Sequence, residues 1–437
     1  MAALVVGLGV TGEAVVSQLL ARGEKLVVAD DRAGVARALG EKLGVPYVEP
    51  DGDAEWADAV SRADLLLPSP GVPLGHAAIA AAMARQVPIW SEFELAARWD
   101  DRPIVAITGT NGKTTVTQLV QMMLSADGRR AMAAGNNEVP LIEALAADAE
   151  VFVVEASSFR LAFTESFRPR VAVWLNLSED HLDWHPDLEH YAASKAKIWA
   201  HQAADDLAVV NADDPAVMAA AQAAPGRVVT FGADRGGYSV ADGQILTPDG
   251  PLCAVADLPR RLPHDLANAL AATAAAEGIG ASAEACRQVL LDFHGFPHRV
   301  QLVREAGGVS YYDDSKATTP SSVVAAMSGF DSVVLIAGGR NKGLDLRPLA
   351  SQSERLRGVV AIGDAAADVE AAFAGTGVAV VVAQSMDDAV AQAESLAGRG
   401  DVVLLSPGGA SYDWYRNYGE RGADFARAVN DLLDRQP

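Results

Sequence analysis

The sequence predicts an α/β protein of three domains. Three observations carry that prediction: a length of 437 residues at roughly 150 residues per domain, glycine-rich turns placed directly after two short apolar runs, and an alternation of strand and helix patterns that restarts near Asp100 and near Gly295. The predicted domains are 1–99, 100–295 and 296–437. Half of the residues are apolar and 21% are charged, the balance of a folded chain with real cores rather than of a disordered one.

The first domain opens with the apolar run Leu4 to Val6, which enters Gly7-Leu8-Gly9-Val10-Thr11-Gly12. Ala14, Val15, Gln18 and Leu19 follow at helical spacing, and Lys25 to Asp30 reads as a strand that ends in an acid. This is a Rossmann-like βαβ unit, with Asp30 about 20 residues beyond the glycines, where it could reach a ribose hydroxyl. The glycines let backbone approach a phosphate, and the helix that follows offers its positive end. A tight turn without a ligand is the plain alternative.

The second domain restarts at Pro103 with the buried strand Ile104 to Ile107, followed by Thr108-Gly109-Thr110-Asn111-Gly112-Lys113-Thr114-Thr115. Val116, Leu119, Val120, Met123 and Leu124 then mark a helix that stops at Gly128. Further strands at Val151 to Val154, Val171 to Leu177 and Leu207 to Asn211 make this a P-loop domain with a mostly parallel sheet. The third domain, from about Pro297, has strands at Val333 to Ala337, Val359 to Ile362, Val378 to Val382 and Val402 to Leu405, and is Rossmann-like again.

The chemistry concentrates after the second apolar run. A full phosphate-loop pattern has a glycine five residues before Gly112, where this chain has Ile107, so the loop is the shortened G-T-N-G-K-T. It still offers backbone N–H groups to phosphates, the Lys113 charge to the outer phosphates and the Thr114 hydroxyl to a metal ion. Glu155, and Asn176, Glu179, Asp180 and His181, stand at the carboxyl ends of strands, where ligands bind in open α/β sheets. Glu155 and His181 are therefore candidates to serve a hard divalent ion such as Mg²⁺, with a capping or core role the alternative for His181. The histidines at 181, 185, 190 and 201 fit no usual zinc spacing.

The net charge of −22 repels nucleic-acid phosphates and anionic lipid, so neither partner is expected. Two cysteines, Cys253 and Cys286, form no disulfide framework; no apolar run is long enough to span a bilayer, and the start lacks the basic flank of a signal peptide. The expectation is a cytoplasmic monomer.

Four segments together resemble a known family: Thr108 to Thr115, Glu155-Ala-Ser-Ser158, Leu175-Asn-Leu-Ser-Glu-Asp-His181 and Asn211-Ala-Asp-Asp-Pro215 look like the ATP-dependent Mur ligases and their folylpolyglutamate synthetase relatives. Tyr312-Asp-Asp-Ser-Lys-Ala-Thr318, Gly338-Gly-Arg-Asn-Lys-Gly343 and Leu404-Leu-Ser-Pro-Gly-Gly-Ala-Ser411 resemble the glutamate-adding branch, and the Asp-Asn-Pro-Arg segment of the diaminopimelate- or lysine-adding branch is absent from the sequence. The resemblance implies ATP-dependent joining of D-glutamate to UDP-N-acetylmuramoyl-L-alanine through an acyl phosphate, with ATP and Mg²⁺. It implies that Gly109, Thr110, Asn111, Gly112, Lys113, Thr114, Thr115, Asn268, Arg299 and Asp314 bind ATP, and that Thr114, Glu155, His181 and Lys195 serve the metal. Lys195 would be a carbamylated lysine, an amine turned by CO₂ into a carboxylate-like ligand; without the resemblance it reads as a solvated helix residue. Lys113, Lys195 and His181 would be catalytic. Gly9, Val10, Thr11, Asp30, Arg32, Ser69, Gly71 and Asn136 would hold the UDP-linked substrate, and Lys316, Thr318, Lys342, Ser411 and Tyr418 the amino acid.

The chain departs from the family pattern at Asn137 and Glu138, where Gly-Asn-Ile-Gly is usual for residues 135–138, at Asp265, where Asn is usual, and at Gly408 and Gly409, where Ala-Cys is usual. Three other readings stay open: a related ligase using another amino acid, including L-glutamate; a nicotinamide-dependent dehydrogenase built on Gly7 to Gly12; and a nucleotide-binding regulator without catalysis.

Overall fold

The computed structural model describes residues 2–136, 139–232, 237–341 and 343–435. The chain forms two compact units, Met1–Leu258 with Leu266–Asp292, and Pro259–Asp265 with Phe293–Pro437. The expectations placed on Asn137, Glu138 and Lys342 fall outside the described residues.

Unit 1 holds three sheets. The first consists of β1 (Ala2–Val6), β2 (Lys25–Ala29), β3 (Tyr47–Val48) and β4 (Leu65–Pro68) in the order β3-β2-β1-β4, all parallel. The second is formed by β5 (Ile104–Thr108), β6 (Ala131–Gly135), β7 (Val151–Glu155), β8 (Val171–Trp174), β9 (Leu207–Asn211) and β10 (Arg227–Phe231) in the order β10-β9-β8-β5-β7-β6, again all parallel. Every residue of β5, β7 and β8 is buried, which is why these strands read as continuous apolar runs rather than as alternating ones.

Side chains alternate across a strand, and β1 sends them into two cores. Val5, with Val28 and Leu67, joins a cluster that continues through Phe93 and Ile142 on helices to Phe152 and Trp174 of the central sheet. Leu4, Val6 and Leu66 instead meet Trp56, Ala78 and Ile79. The shared cluster makes one unit out of the first two sheets.

The third sheet is antiparallel: β11 (Ser239–Ala241), β12 (Gln244–Thr247) and β13 (Gly250–Ala254). In unit 2, β14 (Gln301–Ala306), β15 (Val309–Asp313), β16 (Val333–Gly338), β17 (Leu356–Ile362), β18 (Val380–Val382) and β19 (Val402–Gly408) take the order β14-β15-β19-β16-β17-β18. All neighbours there are parallel except β14 against β15. Alternation again serves two cores, Val334, Ile336 and Leu405 on one face and Val333, Leu335 and Leu404 on the other.

The hairpins among the described residues are not announced by the strand–helix alternation, and two of them share one kind of turn. Asp242 and Gly243 join β11 to β12, and Gly307 and Gly308 join β14 to β15, all four with positive φ. That conformation is the two-residue turn whose twist matches the strands it connects. The strand expected to reach Leu177 ends at Trp174, beyond which Asn176 turns under the phosphate loop and accepts the N–H groups of Thr110 and Asn111.

Candidate active site

The first glycine loop is shaped by close backbone approach. A Cβ on Gly12 would stand 2.0 Å from the carbonyl oxygen of Gly7, and Gly7 itself has φ +82, so both positions require glycine. Ser69 Oγ donates to the same Gly7 carbonyl at 2.5 Å. Gly9, Val10 and Gly71 are exposed at the mouth of the loop, Val10 at 69%. Asp30 departs from the expected role at a ribose: its buried carboxylate accepts the N–H of Leu8 at 2.6 Å and the backbone and guanidinium N–H groups of Arg32 at 2.8–2.9 Å. The hydrogen bond from Arg32 holds its pKa down at about 2. Asp30 is a brace for the loop, and the exposed side of the pair is Arg32.

The phosphate loop runs from the end of β5 into the helix Lys113–Ala126. Gly109 and Gly112 have φ of +153 and +85, and a Cβ on Gly112 would stand 2.5 Å from Asn268 Oδ1. Asn268 therefore lies directly against the loop. The N–H groups of Thr110 and Asn111 depart from the expected pattern. Both donate to Asn176 Oδ1, at 3.0 and 2.8 Å, so Asn176 fixes the loop and the N–H groups left facing a phosphate are those of the first helical turn, including Thr114 and Thr115.

Two lysines converge on one carbonyl. Lys113 Nζ donates to the oxygens of Gly109 and Thr110 at 2.9 and 2.8 Å, and Lys195 Nζ donates to the same Gly109 oxygen at 2.8 Å. Lys195 is 1% exposed with its amine 4.3 Å from the centre of the Tyr191 ring, so the solvated-helix reading is wrong. Burial first, and then the Lys113 charge, hold this amine well below the usual lysine range, against the pull of Asp180. A neutral amine is the form that can react with CO₂.

His181 has φ +56, uncommon for a residue with a side chain and characteristic of functional loops. Its ring packs edge-on against Phe159, centroids 4.7 Å apart. Burial, and after it the charge of Lys113, keep the imidazole below its ordinary pKa in spite of Asp180. Behind it His185 bridges Ser158 Oγ at 2.9 Å and His190 Nδ1 at 2.8 Å. Burial and the neighbouring histidines lower the His185 pKa to about 4, so it is neutral at pH 7.

Glu155 ends β7 beside the loop. One carboxylate oxygen accepts from Asn136 Nδ2 at 3.2 Å, and the other is buried with no hydrogen-bond partner among the described residues. An orphaned carboxylate oxygen next to a phosphate loop fits a hard divalent cation. Among the described residues no three His, Cys, Asp or Glu side chains gather around one point. An ion here would therefore complete its shell with the Thr114 hydroxyl, phosphate oxygens, water and a modified Lys195. Arg160 links this carboxylate to the first glycine loop: it donates to Asn136 Oδ1 at 3.1 Å and to Thr11 Oγ1 at 3.2 Å, while its Nε is held by buried Glu92 at 3.0 Å. Thr11, Asn136 and Glu155, three expected site residues, are thus joined by an arginine that no sequence pattern marked.

In unit 2 the segment His298–Val300 is held in an unusual path, with φ of +63 at His298 and +45 at Val300. Such backbone needs anchors. His298 Nδ1 meets Asp313 Oδ2 at 2.6 Å, Val300 N–H donates to Asp314 Oδ1 at 3.2 Å, and Val300 O accepts from Arg260 Nη1 at 2.9 Å. Asp314 is turned inward. It is buried, also accepts from Ser406 Oγ at 2.7 Å, and desolvation raises its pKa to about 7; its bond from Val300 anchors the backbone next to Arg299. Asp265, the departure from the family's Asn, is taken up by Arg260 at 2.8–2.9 Å. Lys316 Nζ lies 3.8 Å over the Tyr418 ring, which brings two expected amino-acid contacts together. Thr318 is half-buried near the end of the loop between β15 and the helix Pro320–Met327, and Ser411 is buried in the loop after β19. Gly408 has φ +69, and a Cβ on Gly409 would stand 2.5 Å from the Gly338 oxygen.

Comparison with known proteins adds the decisive observation. Residues 1–91 match the Mur ligase MurD-like N-terminal domain, 107–276 the Mur ligase middle domain, and 298–409 the Mur ligase glutamate ligase domain. The chain belongs to the Mur ligase family. It is 42% identical to the UDP-N-acetylmuramoylalanine–D-glutamate ligase of Frankia casuarinae, over 98% of this chain and 93% of the relative. With the ligase of the same name from Shouchella clausii it shares 40% identity, over 98% and 97%. Among solved structures it resembles the MurF ligase of Thermotoga maritima in complex with ADP (TM-score 0.63, 16% identity, 100% of this chain and 95% of that one). It also resembles a pseudomurein peptide ligase type C from Methanothermus fervidus (TM-score 0.63, 16% identity, 99% of each). At those identities the structures show the shared fold.

Within the Mur ligase frame, sequence reasoning missed Arg160, Glu92, His185, His298 and Arg421. Arg160 follows directly on the Glu155-Ala-Ser-Ser158 motif and could have been caught by reading the motif two residues further. The others carry no local signal, since each gains its role from a segment distant in sequence.

Proposed function

We propose that the protein joins D-glutamate to UDP-N-acetylmuramoyl-L-alanine with ATP, releasing ADP and phosphate, as a step of peptidoglycan precursor synthesis in the cytoplasm. The observation that carries this reading is the likeness to D-glutamate ligases over nearly the whole chain. The γ-phosphoryl group passes to the substrate carboxylate, giving an acyl phosphate; the amine of D-glutamate attacks the carbonyl carbon, phosphate leaves, and an amide bond forms. Without activation a carboxylate is a poor acceptor for an amine, so the enzyme's contribution is positioning and neutralisation of developing charge.

The residues proposed for this work are those gathered above. Lys113 and the first turn of its helix hold the phosphates, and Asn268 lies at the nucleotide's side of the loop. Arg299, beside the anchored Val300, is assigned to the nucleotide. Glu155 with its orphaned oxygen, Thr114, His181 and carbamylated Lys195 would hold Mg²⁺, which when bound offsets phosphate charge. The first glycine loop, Arg32 and the chain from Thr11 to Asn136 receive the UDP-linked acceptor, a role that displaces a nicotinamide cofactor from Gly7 to Gly12. Lys316, Thr318, Ser411 and Tyr418 receive the glutamate. Both substrates are anions meeting a chain of net charge −22, so these local cations must outweigh an unfavourable overall field.

The test is ATP-dependent phosphate release with UDP-N-acetylmuramoyl-L-alanine and a panel of amino acids that includes both enantiomers of glutamate. Release with D-glutamate alone is expected. Release with L-glutamate instead, or nucleotide binding without any release, would replace this reading.

A further inference from the structure

The helix Tyr418–Asp434 carries an arginine in an unusual place. Arg421 is 1% exposed, and its partners among the described residues are all neutral oxygens. Nε donates to Ser315 Oγ at 3.0 Å, Nη2 to Ser315 O at 2.9 Å, and Nη1 and Nη2 both to Gly409 O at 3.1 Å. Burial draws its pKa down to about 10, which still leaves a cation at neutral pH. A buried charge bonded only to neutral groups is a costly way to fill a core, where an apolar side chain would serve stability as well or better. What an arginine adds is a planar fork of directional donors and a positive potential.

The fork closes on two loops at once. Ser315 precedes Lys316 in the loop after β15, and Gly409 lies two residues before Ser411 in the loop after β19. Ser315 Oγ passes the connection on by donating to the carbonyl of Tyr418 at 2.8 Å, the residue whose ring stacks under Lys316. The backbones around the guanidinium leave no slack: a Cβ on Gly339 would stand 2.4 Å from Ala410 O and 2.9 Å from Arg421 Nη1. Every residue assigned to the amino-acid pocket and described by the structure, Thr318 included, lies within three positions of an atom bonded to Arg421 or to Ser315.

We propose that Arg421 is a positioning residue of the amino-acid site, clamping the loops that carry Lys316, Thr318 and Ser411 so that they meet an acidic amino acid in one fixed geometry. The inference rests on the proposed function, in which unit 2 receives glutamate. The buried cation also adds a fixed positive potential beside a ligand with two carboxylates, but the clamp is the part that lysine cannot reproduce.

The test uses steady-state kinetics of the full-length chain, titrating D-glutamate, ATP and the UDP-substrate separately. Arg421→Lys keeps the charge and loses the fork. Its KM for D-glutamate should rise about tenfold or more, with the KM for ATP within about twofold of the parent, the size expected from misplacing a binding loop without removing a binding group. Ser315→Ala removes one acceptor and the link to Tyr418 while leaving both Gly409 bonds, and should raise the same KM a few-fold. A folded Arg421→Lys variant with an unchanged glutamate KM, or one whose ATP and glutamate KM values rise together, overturns the clamp. Should that variant fail to fold, Ser315→Ala decides alone, and an unchanged glutamate KM there overturns it. Failure of the underlying function would show separately, as an unsubstituted protein with no D-glutamate-dependent phosphate release.

Discussion

Replacing Lys195 by alanine separates a structural lysine from a working one. The substitution removes three methylene groups from a site that is 1% exposed, and at about 0.8 kcal/mol each that is roughly 2 kcal/mol of lost burial. The Gly109 carbonyl keeps its bond from Lys113, so no orphaned acceptor adds to the loss. There is an opposing term. Burial holds the folded amine well below the usual lysine range, so below the unfolded pKa the folded chain binds this proton less tightly than the unfolded one does. Lys195 therefore opposes folding at pH 7, and the opposition fades as pH rises toward the unfolded pKa. The net destabilisation should be about 1–2 kcal/mol, a few degrees in Tm. Turnover is the larger effect: losing a preorganised anionic group beside the phosphates should lower kcat by about 10²-fold or more. The assay is phosphate release with and without acetate, whose carboxylate can enter the vacated space and stand in for a carbamate; partial recovery is expected. Near-normal turnover without acetate would refute the carbamate. A loss of activity that follows Tm alone and ignores acetate would make Lys195 a packing residue.

Three further outcomes follow from described contacts. Lys113→Ala should keep its circular-dichroism spectrum and lose at least about 10²-fold in ligation rate; turnover near that of the parent would remove Lys113 from the transferred phosphate. Gly112→Ala forces a Cβ to 2.5 Å from Asn268 Oδ1 at φ +85, a strain of about 1–2 kcal/mol, and should raise the KM for ATP severalfold in a folded protein; an unaltered KM would detach Asn268 from the nucleotide. Asp314 has a folded pKa of about 7 against 3.8, so its stabilising effect is complete below the unfolded value and is lost as pH rises through the folded one. Asp314→Asn should therefore cancel about 1 kcal/mol of the stability that the parent loses between about pH 6 and about pH 8, and equal slopes of Tm against pH in the two proteins would contradict this.

Much of the architecture was legible because its strands are buried on both faces. Ile104–Thr108 and Val151–Glu155 appear as unbroken apolar runs closed by a glycine loop or an acid, and such runs have few other uses in a soluble chain. Loops were legible where glycine is forced, as at Gly12 and Gly112. Lys195 was legible only through the family likeness, since its helix Leu188–Ala196 shows weak periodicity and its amine is taken up by Gly109, 86 residues away. The bracing residues were not legible for a topological reason. Arg421 and Ser315 are 106 residues apart, and Arg160 meets Thr11 across 149. Asp30 and Asp314, residues of suitable chemistry in suitable places, have carboxylates turned inward onto backbone N–H groups, which no sequence pattern reveals.

The short excursion Pro259–Asp265 bears on how such enzymes can be cut and recombined. Unit 2 is not one contiguous length of chain: Arg260 donates to Val300 O, and Leu262 packs against the cluster formed by Val300, Val323 and Leu349. A fragment begun at Phe293 would carry the whole six-stranded sheet yet lack this strap, leaving a groove where Leu262 sits and the left-handed Val300 without its arginine. A chimera spliced between two relatives at a single late junction would pair one parent's strap with the other parent's sheet. Exchange of specificity between relatives by domain grafting therefore needs two cuts, so that Pro259–Asp265 travels with the sheet it was shaped against.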